Sequence, residues 1–179
     1  MRVTKAIVVT SFCLAQAASA MVLTDCVNAI NNISPRVFIE NVQRQSCKFG
    51  CQPRPDDWDV FGKDTMRELV NDGAAQLDID EGKEAFVDFL ESIFQELRKK
   101  CGPKFDKAHG CQDSPELEEA MSCVDQYSRV AKLRAAPGLL PYVTAERCRK
   151  VGNYFQSPEL WEKSFPARAK NYIDHCHDL

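Results

Sequence analysis

DEGKEAFVDFLESIFQELRKKC, residues 80–101, spaces its apolar side chains at three- and four-residue steps. Phe86, Phe89, Leu90, Ile93, Phe94, Leu97 and Cys101 fall on one side, whereas Glu84, Asp88, Glu91, Gln95, Arg98 and Lys99 take the other. Residues three or four apart share a face of an α-helix, so the stretch reads as an amphipathic helix with a broad apolar stripe. Asp80 is placed to cap its start and Gly102-Pro103 to end it, because glycine accepts the left-handed turn and proline cannot extend the ladder.

Helical signals continue on both sides. Ser34-Pro35, Ser114-Pro115 and Ser157-Pro158 mark helix starts, since serine accepts from free backbone amides and proline is preset for the first helical position. The pattern predicts helices over 25–31, 35–49 and 64–77, with Gly73 a weak point in the last. Beyond the long helix it predicts others over 115–134, 144–155 and 158–176, the last interrupted at Pro166. No run alternates as a strand would. The expected fold is all-α, a single disulfide-clipped helical domain of about six helices with no significant sheet.

The N-terminus has the organisation of a secretory signal: Arg2 and Lys5, an apolar run over 6–15, and the small-residue motif Ala18-Ser19-Ala20. Residues 1–20 are therefore read as a signal peptide and 21–179 as the exported domain. The apolar run is shorter than the roughly 20 residues that a membrane-crossing helix needs. Removing the signal takes away Arg2, Lys5 and Cys13, leaving 21 basic against 26 acidic residues and eight cysteines. A mildly acidic domain offers little to phosphates or anionic lipid, so nucleic acid is not an expected partner.

The eight are Cys26, Cys47, Cys51, Cys101, Cys111, Cys123, Cys148 and Cys176. An even count behind a secretory signal points to four disulfides, although the spacing permits on the order of a hundred pairings. They fall on or beside helices along the chain, so the bridges are expected to tie helix to helix. Cys47 and Cys51, four residues apart, would share one side of a continuing helix and clip to different neighbours.

No nucleophile elbow, phosphate-cradling glycine loop or zincin helix is present, and only His109, His175 and His177 could serve as histidine bases. The cysteines are better used as bridges than as thiolates. The protein is therefore expected not to be an enzyme and to need no cofactor. His175-Cys176-His177-Asp178 resembles a metal cluster, but adjacent residues diverge on a helix and Cys176 is wanted for a bridge, so no metal is expected. Residues 78–82 fail the EF-hand pattern because Gly82 is one position early and Phe89 stands where the closing glutamate belongs. Asn32-Ile33-Ser34 is a candidate glycosylation acceptor, weakened by Pro35.

Candidate binding residues fall in three places. Trp58 and Phe61 sit in an acidic, aromatic loop after Cys51. Leu139, Leu140 and Tyr142 lie in a proline-bounded segment that cannot form a regular α-helix. Phe86, Phe89, Leu90, Ile93 and Phe94 could line a cavity, though an ordinary helix core explains the same stripe.

Cys26 followed by the Cys47-x-x-x-Cys51 spacing resembles the first half of the cysteine pattern of insect odorant-binding proteins. The second half departs from it, with Cys111 and Cys123 more widely spaced than in that family and Cys148 and Cys176 continuing the series. By analogy of architecture, the resemblance implies a secreted helical carrier with an internal apolar cavity. The residues themselves support an extracellular, monomeric binding protein. Its expected role is an effector- or toxin-like factor presenting a rigid surface to an extracellular protein partner; the alternative is a carrier of a small apolar ligand.

Overall fold

The computed structural model describes residues 24–57, 62–77 and 79–177. The signal-like segment 1–20, Trp58, Phe61 and Asp178 lie outside the described residues. The fold is all-α: α1 (24–32) is followed by α2 (Pro35–Ser46), α3 (Lys63–Leu77), α4 (Lys83–Phe105), α5 (Pro115–Ala135), α6 (Ala145–Phe155) and α7 (Phe165–His175). Short 3-10 turns occupy Cys47–Phe49, Asp80–Gly82 and Ala136–Tyr142, and a π-helical turn Glu159–Ser164 precedes α7. No strand occurs among the described residues. None of their helices is long and apolar enough to cross a membrane.

Capping explains the helix starts. The Ser34 hydroxyl accepts from the Val37 amide at 3.3 Å and that of Ser114 from the Leu117 amide at 3.2 Å. Thr144 does the same for α6, accepting from the Arg147 amide at 3.1 Å. Each satisfies a donor that the first helical turn leaves unpaired. Ser157 accepts from Leu160 at 3.3 Å, but there the chain winds into the π-turn before α7. Pro166 therefore begins a helix rather than interrupting one, lying in the first turn of α7 where its missing N–H is not needed.

The long helix departs from expectation at both ends. Asp80 opens a 3-10 turn, and α4 starts at Lys83 behind Gly82 without a side-chain cap. At the other end the helix passes through Gly102 and Pro103 to Phe105. Pro103 removes only one ladder donor, so neighbouring contacts can carry the helix past it. The Cys101–Cys123 bridge holds the preceding turn to α5, Lys104 pairs with Glu119, and Phe105 packs against the core.

All eight described cysteines are paired. Cys26–Cys148 joins α1 to α6, Cys47–Cys111 joins the turn after α2 to the loop after α4, and Cys101–Cys123 joins α4 to α5. Cys51–Cys176 ties the following loop to the end of α7 across 125 residues of sequence. Cys47 and Cys51 thus bridge to different neighbours, but not from one helix: Gly50, at φ 78°, turns the chain between them. The left-handed region costs an ordinary residue about 1–2 kcal/mol, which makes glycine the apt choice.

α3 carries no cysteine. Met66, Leu69, Val70, Ala74 and Leu77 bury its inner face, and Arg168 of α7 reaches Asp72 at 2.7 Å and Glu68 at 3.3 Å. The predicted weak point, Gly73, lies inside this helix, where a Cβ would come within 3.1 Å of the Tyr154 ring. The glycine is a point of close approach and not a break.

α4 lies along α5 at the centre, with Leu90 and Ile93 almost completely removed from solvent. Aromatic rings fill the space between α2, α4 and α7. Phe38 meets Phe94 edge-on at 4.9 Å and Phe165 at 5.3 Å, and Trp161 lies 5.7 Å from Phe165. The Trp161 indole donates to the Phe155 carbonyl at 2.8 Å, so its polar atom is satisfied. Lys132, 7 % exposed, donates to the carbonyls of Ile30 and Ile33 at 3.2 and 2.9 Å. Burial pushes its ammonium below the usual lysine value, while those carbonyls at the end of α1 receive the charge.

Candidate ligand cavity

A cavity of about 130 Å³ lies beside the aromatic cluster. Phe38, Ile39 and Val42 of α2 form one wall, Phe94, Leu97 and Phe105 of α4 another, and Val124 of α5 contributes between them. The α4 residues lie three and then eight apart, a helical spacing that brings them to one face. The loop carrying Pro53 and Pro55 closes one side. The interior is therefore apolar, and Gln43, Arg54, Asp57, Arg98 and Tyr172 form its polar border.

The loop is secured at several points. Cys47–Cys111 and Cys51–Cys176 fix its approach, and Gly110 passes so near that a Cβ there would fall 2.9 Å from the Pro53 carbonyl. The Asp57 carboxylate accepts the Tyr172 hydroxyl at 2.6 Å and the Arg54 backbone N–H at 2.8 Å. Arg98 of α4 donates to Asp56 at 2.8 Å. These contacts join the loop to both α4 and α7.

Burial, reinforced by the Asp57 hydrogen bond, raises the Tyr172 phenol above its ordinary value. An unfolded tyrosine ionises near pH 10. The folded phenol holds its proton to higher pH, so this contribution to stability is complete below about pH 10 and falls as pH rises through the folded value. Urea unfolding between pH 9 and 11.5 should therefore show declining stability, and Tyr172→Phe should flatten the decline. The residual slope is expected from Tyr154, whose phenol burial also raises. An unchanged slope in the variant would remove Tyr172 as a source.

A second cavity, of about 60 Å³, brings Phe86 together with Leu139 and Tyr142 beside the Cys26–Cys148 bridge. Gly82 permits this approach, because a Cβ there would fall 2.9 Å from the Tyr142 Cβ. Leu140, between the two lining residues, is 67 % exposed.

The apolar stripe of α4 thus divides into parts. Phe89, Leu90 and Ile93 are buried core residues, while Phe94 lines the larger cavity and Phe86 the smaller. Asp57 and Gly62, on either side of the sequence carrying Trp58 and Phe61, both line the larger cavity. Phe38, Ile39, Val42, Phe105 and Tyr172 were not foreseen as site residues. Apolar spacing in 37–42 was a usable signal for a buried face, but not for what that face meets.

The C-terminal cluster has no free thiolate. Donor atoms of Cys51, Cys176 and His177 lie within 4.8 Å of one another, but the two sulfurs are bridged. His175 Nδ1 lies 2.8 Å from the Asn171 carbonyl, and His109 Nδ1 accepts from the Cys111 amide at 3.2 Å. Asn32 ends α1 partly buried, and the Ser34 hydroxyl of its sequon is engaged in capping α2. Comparisons with protein-family models, curated proteins and solved structures give no match.

Proposed function

We propose that the protein is an exported, non-enzymatic binding protein that carries a small apolar ligand in the larger cavity. The observation carrying this reading is an apolar space of about 130 Å³ beneath a loop secured by two disulfides. Its walls are predominantly apolar, so an apolar guest seated there removes hydrophobic surface from water. The four bridges and the signal-like N-terminus support export. Asp57, the carboxylate among the described lining residues, is engaged by Tyr172, and no histidine is among them. A binding role uses this arrangement directly.

Native mass spectrometry of protein secreted from an oxidising eukaryotic host tests the proposal. A ligand-sized excess mass that disappears on denaturation is the expected result. A bare mass that persists after incubation with a mixed lipid pool would sink it. It would favour the second reading, an effector- or toxin-like factor acting as a monomer on an extracellular protein. That reading draws on Phe49, Leu133 and Leu140, at 60 %, 65 % and 67 % exposed, because apolar side chains displayed on a rigid surface can be covered by a partner.

A further inference from the structure

We infer that the larger cavity takes an amphipathic anion, with a ring-sized or short-chain apolar body and a carboxylate head received by Arg54. This rests on the carrier reading. Three rings, those of Phe38, Phe94 and Phe105, contribute to the cavity wall and suit a flat or slender apolar body.

The border supplies the charge complementarity. Asp57 is used twice within the protein, by the Tyr172 hydroxyl and by the Arg54 backbone N–H. Asp56 is used by Arg98. The Arg54 guanidinium has no ion-pair partner among the described residues, although Arg54 lines the cavity. Its planar donors match a carboxylate, which can accept two parallel hydrogen bonds. An amine would meet the same guanidinium at a cost, and an alcohol would forgo the ion pair and the second parallel hydrogen bond.

The test uses three compounds sharing one skeleton: 4-phenylbutanoic acid, 4-phenylbutan-1-ol and 4-phenylbutylamine. Calorimetric titration of the intact, disulfide-bonded protein should give an affinity order of acid, alcohol, amine, with the acid about ten-fold ahead of the alcohol. Arg54→Gln should remove that ten-fold advantage, weakening the acid more than the alcohol so that the two bind alike. Arg54 is exposed in its loop, and circular dichroism with thermal melting will verify that the variant is folded. Equal wild-type binding of acid and alcohol, tighter binding of the amine, or an acid preference that survives Arg54→Gln would overturn this assignment while leaving the carrier reading intact. Failure of all three to bind wild-type protein would overturn both.

Discussion

Replacing Phe165 by alanine is expected to cost about 3–5 kcal/mol of unfolding free energy, the usual range for a fully buried phenylalanine. Phe165 is completely shielded from solvent and stands where three aromatic groups converge. It lies edge-on to Phe38, beside Trp161, and at the start of α7. Truncation removes apolar surface from the core and leaves a gap that bridged helices cannot readily close. Denaturant unfolding under non-reducing conditions measures the loss. Phe49→Ala, at a site 60 % exposed, is the control and should change stability by less than about 0.5 kcal/mol. A similarly small effect at Phe165 would mean that the surrounding rings adjust freely. The substitution should also weaken apolar ligand binding, because Phe38 supports both the packed cluster and the cavity wall.

Removing the Cys51–Cys176 bridge by substituting both residues with alanine should cost about 4 kcal/mol in the loop-entropy description. The residues are separated by 125 positions, but the unfolded chain offers a shorter path between them through Cys26–Cys148. The entropic cost therefore falls slightly below that of an isolated loop, since it depends only weakly on length. Paired substitution avoids a lone thiol that could exchange with the other bridges. Comparing denaturation midpoints and slopes with wild type gives the effect. A loss below about 1 kcal/mol would mean that Tyr172, Asp57 and the neighbouring packing already hold this corner. The ligand test adds a second readout, because the bridge anchors the loop that closes the cavity.

Much of the helical framework was legible because its signals are local. The three- and four-residue apolar steps identify α4, and Ser34 and Ser114 mark the starts of α2 and α5 by chemistry confined to one turn. The end of α4 was not legible from Gly102-Pro103, because the contacts that carry the helix onward come from α5: Cys123 and Glu119 are distant in sequence. Bridge pairing was closed for the same reason. Cys51 and Cys176 become neighbours only after α7 returns along the bundle.

The candidate site was legible as an apolar stripe, but its division into core and cavity was not. Ile93 and Phe94 are adjacent, yet Ile93 is entirely buried while Phe94 also borders the larger cavity. Their difference depends on α2 and the proline-bearing loop rather than on α4 alone. Arg54 carried no motif that distinguished it from other surface cations. Its place beside Pro53 and Asp57 becomes informative only when that loop meets α2 and α4.

The overlap of two bridges has a consequence for survival among proteases. Cys26–Cys148 spans every peptide bond from 26 to 148, and Cys51–Cys176 spans every one from 51 to 176. A single cut anywhere between Cys26 and Cys176 therefore creates a new pair of chain ends but releases no fragment. The nicked molecule keeps one covalent body, and its pieces remain at each other's side to refold after a local opening. A non-reducing gel would still show one species where a reducing gel shows two.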